Sequence, residues 1–337
     1  MMTIEHNVSL KKYNTFGIEA TARDFATIRS HDDLMALLES GLLAESRFLI
    51  LGGGSNVVFS GDFDGLVVRM ECDVCHFPSN DEPPVVTAAA GKVMDQLVRE
   101  CAARGLHGLE NLAAIPGTVG ASAVQNVGAY GVEAKDCICE VLAYEIATGR
   151  PRRFSNEECG FGYRQSIFKD ELKDRYIIEQ VSYRLQRQYV PVLGYKALEE
   201  AIAGRQNPSA MEVIDAISEV RWNKLPRPEA KGSAGSFFKN PVVPMDEYER
   251  IAKAHPGVVA FDAEMGRKKL SAGWLIEHCG WKGRTMGHAG VYDKQALVLV
   301  NADGQARGED VMRVADAVIR DVEEKYGVIL VPEAILV

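Results

Sequence analysis

Apolar positions along this chain recur at two periods, near two and near 3.6, and the switches between them mark its elements. FATIRS (25–30) reads as a strand and HDDLMALLESG (31–41) as a helix, with Ser30 as N-cap, Asp32 and Asp33 in the first turn and Gly41 just past the end. RFLIL (47–51) is a short apolar strand that runs into GGGSN (52–56), and VVFSGDFDGLVVRM (57–70) reads as turn and strand. After the strand VVTAAAG (85–91), Val93, Met94, Leu97, Val98 and Cys101 recur at helical spacing, and Gly105 stands at the C′ position. RYIIEQVSYRLQRQ (175–188) closes the strand-rich part. A helix is predicted from near Ser209, with Met211, Ile214, Ile217 and Val220 on its apolar face. Farther on, AGWLIEHCG (272–280) and EDVMRVADAVIRDVEEKYG (309–327) read as amphipathic helices, and ALVLVN (296–301) and VILVPEAILV (328–337) as strands. The class is α+β, without internal repeat or low-complexity segment.

Two stretches do not fit core patterning. GGGSN follows a strand directly, where missing Cβ atoms let backbone N–H groups approach a phosphate. It is not a dinucleotide fingerprint of the doubly wound kind, because Val57 stands at the third glycine position and turn and strand follow it. LENLAAIPGTVGASAVQNVGAYG (109–131) holds Gly117, Gly120, Gly128 and Gly131 among small residues. Such a segment builds no apolar core of its own; by composition it reads first as a structural loop, and as the alternative a loop that brings backbone within reach of a large planar ligand and its pyrophosphate.

The formal charge of −9 argues against a general nucleic-acid surface, so an anionic ligand needs a local cluster of cations. No stretch approaches the ~20 apolar residues of a membrane span, and the first residues lack the apolar core of a signal peptide, so a cytoplasmic protein is expected. Seven scattered cysteines fit a reducing compartment. Cys72, Cys75 and His76 match the C-x-x-C-H haem-attachment spacing by chance on this reading, and no second ligand pair stands at zinc spacing, so no metal is expected.

GSAGSFFKNP (232–241) sets Ser236 between Gly235 and Phe237. The hydrolase elbow G-x-S-x-G would need glycine at 231, where the chain has Lys231, which removes that reading. YNTFG (13–17), GGGSN, IPGTVGASAVQNVGAYG (115–131), GYRQSIFK (162–169) and GSAGSFFKNP, with ALVLVN and PE (332–333) after them, resemble in order the MurB family of UDP-N-acetylenolpyruvoylglucosamine reductases. The resemblance spans essentially the whole chain, and it is to the subclass with a tyrosine-bearing loop over the substrate.

That resemblance implies an FAD-binding region of the vanillyl-alcohol-oxidase (PCMH) type, made of two α+β subdomains, and a C-terminal α+β substrate domain. Placed on this chain, the divisions are 1–70, 71–205 and 206–337. It implies non-covalent FAD and NADPH as co-substrate. The cofactor positions it implies are Gly52, Gly53, Gly54, Ser55 and Asn56 in the first stretch. In the second they are Ile115, Pro116, Gly117, Thr118, Gly120 and Ala121, then Gln125, Asn126, Gly128, Ala129, Tyr130 and Gly131. Ser236 matches the family's proton donor, and Arg164 and Glu333 the other two catalytic positions. A serine hydroxyl is a weak acid, so the role suits only a strongly basic enolate. A guanidinium can fork onto the substrate carboxylate, and Glu333 is expected to be protonated or bridged beside it. Tyr163, Tyr195, Lys224, Asn240 and Gln295 match positions that contact the UDP-sugar; Arg221, one turn before Lys224, is left open between FAD and UDP. The expected partners are small molecules only, with no nucleic acid or membrane and a monomeric chain. The rival on the same fold, an FAD-dependent oxidase or dehydrogenase of a small hydroxy acid, would need a base such as histidine in place of the serine donor.

Overall fold

The computed structural model describes residues 2–337, which divide into two compact units. The first comprises residues up to 8, 22–54 and 63–223; the second comprises 9–21, 55–62 and 224–337. The expected segmentation at 70 and 205 differs from this in two ways. Residues 9–21 and 55–62 are drawn by packing into the unit formed by the C-terminal third, which linear patterning cannot show. The division also falls at the end of the helix Ala210–Lys224 rather than before it, because Val213, Ile214 and Ile217 are buried in the first unit's core.

In the first unit a four-stranded sheet runs in the order Ile4–Ser9, Thr21–Ile28, Phe63–Met70, Phe48–Leu51. Thr21–Ile28 and Phe48–Leu51 both pair parallel to Phe63–Met70. Parallel neighbours need a crossover, and His31–Glu39 supplies it. Ser30 Oγ accepts from the Asp33 amide at 3.2 Å, as the sequence predicts, and Gly41 takes φ +74. A five-stranded sheet follows, Pro151–Ser155, Ile138–Glu145, Tyr176–Arg184, Val85–Ala89 and Cys75–His76 in spatial order, each pair antiparallel. Cys75 and His76 are thus edge-strand residues opposite Ala88 and Thr87, and no group of three or more His, Cys, Asp or Glu poised for a metal occurs among the described residues.

Helices Met94–Ala103 and Val119–Gln125 pack into the same core through Met94, Leu97, Val98, Cys101, Val119 and Ala123. Val93 is corrected: it precedes the helix and is 40% exposed. Val119–Gln125 is a second correction, since the glycine-rich stretch read as loop holds a short buried helix. Its small side chains are what allow close approach, for a Cβ on Gly120 would lie 2.8 Å from Ala90 Cβ. Met211 is a third, being 37% exposed while Val213 takes the inward position.

In the second unit Ser233–Ser236, Val298–Asn301, Ala289–Val291 and Thr285–Met286 form an antiparallel sheet. The helices Ala272–His278 and Gly308–Tyr326 accompany it. Of VILVPEAILV only Ile335–Leu336 is strand, parallel to Val57–Val58. The apolar run before it is interrupted by Pro332, which has no N–H for a ladder.

Candidate cofactor cradle and catalytic residues

Gly52, Gly53 and Gly54 leave the end of Phe48–Leu51 and meet the segment around Gly117 backbone to backbone. A Cβ on Gly52 would lie 2.5 Å from Thr118 Oγ1, and one on Gly53 would lie 3.0 Å from Gly117 Cα. Gly54 and Gly117 take φ +64 and +122, which side chains rarely allow. Beside this contact the fold leaves polar atoms unsatisfied: Thr118 Oγ1 and Gln125 Nε2 are buried without a hydrogen-bond partner. Such groups are costly unless something else pairs them, so they suit a polar ligand lying along the glycines. Ile115 and Ala121 are half-buried and Pro116 exposed along the same segment. A large planar cofactor with a pyrophosphate fits a cradle of bare backbone with two waiting polar groups.

Among the non-glycine residues of this unit held in the left-handed region are Ala114 (φ 56), Asn126 (φ 44), Tyr130 (φ 50) and Arg164 (φ 55), on or against the glycine-rich segment. Each costs of order 1 kcal/mol or more and persists only where surroundings over-determine it. Asn126, fully buried, supplies much of that determination. Its Nδ2 donates to Glu133 Oε2 at 3.0 Å and to the Gly162 carbonyl at 2.8 Å, while its Oδ1 accepts from the Lys135 amide at 3.0 Å. Its side chain is therefore spent inside the protein. Gly128–Ala129 pairs with Val132–Glu133 as a hairpin, with Tyr130 and Gly131 (φ 83) at its tip. Positive φ at both central residues matches the twist of a two-residue hairpin.

Arg164 is the second central residue of a tight turn in which Gly162 and Gln165 exchange backbone hydrogen bonds. Its Nη2 donates to the Gly128 carbonyl at 2.9 Å and its Nη1 to that of Asn126 at 3.4 Å. Lys169 Nζ donates to the Arg164 carbonyl at 3.2 Å and to Gln125 Oε1 at 2.6 Å. The predicted arginine is thus fixed against the predicted cofactor segment. Tyr163 is 38% exposed beside it, its ring 5.6 Å from the Arg164 Cζ.

Arg221, on Ala210–Lys224, is the residue that sequence could not assign. Burial pushes its guanidinium below its ordinary value, partly offset by the charge and hydrogen bond of Tyr130; Arg164 lowers it further and Asp95 opposes that. Its Nε is buried without a partner. Burial likewise pushes the Tyr130 hydroxyl up. The Tyr130 ring meets Tyr195 edge-on, with centroids 5.1 Å apart. Arg99 holds the Arg221 helix in place, donating to Asp95 at 3.1 Å, Asp215 at 3.0 Å and Ser218 at 2.9 Å. Lys224, the last residue of that helix, is exposed.

The second unit holds the remaining predicted residues. Ser236 ends Ser233–Ser236, opposite Val298, past an irregularity at Gly235 (φ +68). Phe237 and Phe238 are buried to 0% and 1% exposure, and their rings meet edge-on, which anchors the serine between a left-handed glycine and two core aromatics. The Glu333 amide donates to the Phe237 carbonyl at 2.7 Å. Asn56 Nδ2 donates to the Glu333 carbonyl at 3.2 Å, and the Ile335 amide donates to the Asn56 carbonyl at 2.8 Å, with Ser55 half-buried just before. The Asn240 Oδ1 accepts from the Ala272 amide at 3.0 Å, and a Cβ on Gly273 would lie 3.1 Å from Gln295 Oε1. Asn240 and Gln295 therefore converge on the first turn of Ala272–His278, while the Phe237 amide bonds Leu297, two residues beyond Gln295.

Asn111, Lys169 and Arg99 support these groups without having been singled out. Lys169 lies inside GYRQSIFK and was within reach of a motif argument; Asn111 and Arg99 carry no local signal.

The α+β unit that holds the glycine cradle is an FAD-binding region of the vanillyl-alcohol-oxidase type, and the chain is a flavin-dependent reductase. A family model described as FAD binding domain matches residues 23–155, and one described as UDP-N-acetylenolpyruvoylglucosamine reductase, C-terminal domain, matches 227–337. The chain is 44% identical over 331 residues to the UDP-N-acetylenolpyruvoylglucosamine reductase of Paraburkholderia phymatum, covering 97% of this chain and 95% of that protein. It is 43% identical to the one of Pseudomonas savastanoi, covering 97% of each. The crystal structure of UDP-N-acetylenolpyruvylglucosamine reductase from Thermus caldophilus is similar over 100% of this chain and 99% of that one, at 28% identity and a TM-score of 0.67. The chain belongs to the UDP-N-acetylenolpyruvoylglucosamine reductase family.

Proposed function

We propose that this chain reduces UDP-N-acetylglucosamine enolpyruvate to UDP-N-acetylmuramate, the reductive step of peptidoglycan precursor synthesis, with NADPH as the electron source. The observation that carries the reading is Ser236, held beside Glu333 at the end of a strand in a chain of this family. The chemistry that FAD supplies when bound is the relay of hydride from NADPH to the vinyl carbon. Gly52, Gly53, Gly54 and Gly117 to Gly120 would admit it, with Thr118 Oγ1 and Gln125 Nε2 gaining their missing partners.

Ser236 supplies the proton to the neighbouring carbon, so the double bond gains one hydride and one proton. Its hydroxyl keeps that proton at any physiological pH, and its fixed backbone limits the positions from which it can deliver it. Arg164 receives the substrate carboxylate as enolate charge develops, and its two bonds to carbonyls of the cofactor segment set the guanidinium plane. Glu333 acts beside the serine, protonated or bridged. Tyr163 and Tyr195 contact the sugar nucleotide, Lys224 offers a point charge to its diphosphate, and Asn240 and Gln295 orient it from the first turn of Ala272–His278.

All partners in this chemistry are small molecules, so a monomer is the expected working form. No helix among the described residues is long and apolar enough to cross a membrane, and all seven cysteines are free, which supports a reducing cytoplasm. The test is anaerobic absorbance spectroscopy of the purified protein. A flavin band that bleaches with NADPH and returns with the enolpyruvyl UDP-sugar is expected; a protein without flavin, or a bleached one that the enol ether fails to reoxidise, overturns the reading.

A further inference from the structure

Residues 186–195 form neither helix nor strand, yet they are tied down at several points. Gln186 and His107 exchange backbone hydrogen bonds at 2.7 and 2.9 Å. The Arg187 Nη2 donates to the carbonyls of Ser79 and Glu82 at 2.6 and 3.1 Å. Beyond these anchors, the Tyr189 ring lies 5.0 Å from the His107 ring, the Val192 carbonyl accepts from Asn111 Nδ2 at 2.9 Å, and Tyr195 stands on Tyr130. Apolar burial holds this strap only in part: Tyr189 and Leu193 pack half-buried against the core, while Val190, Val192 and Tyr195 are 63%, 46% and 47% exposed. The end that carries Tyr195 has little buried apolar surface of its own, which places it toward the low-stability end of a structure, where one polar pin can decide its position.

Asn111 is that pin. It is 3% exposed, and the Nδ2 that reaches Val192 also donates to the Tyr130 carbonyl at 2.8 Å. One amide nitrogen thus spends both N–H groups on two different segments. One is the left-handed hairpin tip of the glycine-rich cradle; the other is the strap that leads to Tyr195.

We propose that Asn111 is a positioning residue for Tyr195: it joins the Tyr130 tip to the strap, so that a ligand ordering the cradle also sets where Tyr195 stands. By linkage, what steadies one segment steadies the other. The identity of the two ligands rests on the function proposed above; the tie between the segments does not.

The experiment compares wild-type holoenzyme with Asn111→Ala and with the near-isosteric Asn111→Asp, which cannot donate. Chymotryptic cleavage after Tyr189 and Tyr195, located by mass, should accelerate about tenfold in both, the factor expected for one net hydrogen bond of ordinary strength. KM for the enolpyruvyl UDP-sugar should rise by a similar factor, while the limiting rate of flavin bleaching at saturating NADPH stays unchanged. In a Tyr195→Ala background, Asn111→Ala should raise KM no further, because it acts through Tyr195. Unchanged strap cleavage, additive KM effects, or bleaching that slows in step with KM would each overturn the proposal. Should both Asn111 variants fail to fold, Tyr195→Ala alone must accelerate cleavage after Tyr189, and cleavage there at the wild-type rate would overturn the proposal. If the wild type does not bind the UDP-sugar, the functional reading falls, but the cleavage comparison still decides the tie.

Discussion

The amide of Glu333 donates to the carbonyl of Phe237 at 2.7 Å, so the carboxylate residue near the C-terminus is fixed one position from Ser236 along the opposing backbone. The two lie 97 positions apart in sequence, and backbone pairing, not side-chain chance, makes them neighbours. Ser236→Ala removes only a hydroxyl from this frame. General-acid assistance is typically worth about 10²–10⁴-fold, and a loss of that size is expected in the reoxidation of flavin by the enol ether. Bleaching by NADPH should be unchanged. Stopped-flow absorbance separates the two, and turnover at the wild-type rate would remove Ser236 from the proton-donor role.

Gly52→Ala tests the cradle. The added Cβ would stand 2.5 Å from Thr118 Oγ1 and 3.4 Å from Ala121 Cβ, so either Thr118 or the strand end must shift. Overpacking of this kind costs about 1–3 kcal/mol, and here the displaced hydroxyl is one that the cofactor is proposed to use. The variant should purify with its flavin-to-protein absorbance ratio reduced about tenfold or more. Gly61→Ala, with nothing within 4 Å of the added carbon, is the control and should keep the wild-type ratio. Equal ratios in both variants would show that the glycines at 52–54 are not a cofactor approach.

Where periodicity ran unbroken, the sequence was legible: Ser30 caps its helix, Gly105 takes positive φ, and RFLIL and RYIIEQVSYR are strands. It failed where a contact is long-range or a residue serves backbone approach. The helix Val119–Gln125 was hidden because alanine, glycine and serine carry no hydrophobic period, although tight packing against Ala90 is what their small size provides. Arg221 could be placed on a helix face but not assigned, since its neighbour Tyr130 comes from a hairpin 91 positions earlier. Asn111 gave no signal at all, because a single polar residue before an apolar pair looks like any loop residue.

The seven cysteines separate by burial. Cys101, Cys137 and Cys159 are buried, and loss of solvent pushes each thiol up to about 12. The reactive species is the thiolate, so these three should resist an aromatic disulfide reagent at pH about 8 in the native protein. Only Cys72, Cys75, Cys139 and Cys279 remain as candidates for labelling, and denaturant should release all seven. Labelling of Cys101 at the rate of Cys72 would show that the core of the first unit opens.

Asp310 gives the second unit a pH dependence whose direction follows from its bonds. Its Oδ2 accepts from the Arg307 amide at 2.9 Å at the start of Gly308–Tyr326, and its Oδ1 pairs with Arg313. That backbone bond first, and then Arg313, holds the carboxyl below its ordinary value against the opposing effect of burial. A carboxyl depressed in the folded state stabilises fully above its unfolded pKa of about 3.9, and the contribution disappears as pH falls through the folded value. Asp310→Ala should therefore lower stability by about 1 kcal/mol at neutral pH, the usual worth of a helix N-terminal side-chain bond. The gap in Tm between wild type and variant should stay constant from pH about 7 to about 5 and close below about 4. A gap that persists to the lowest pH at which both fold would mean that Asp310 acts by packing, and that its charge contributes nothing to the helix start.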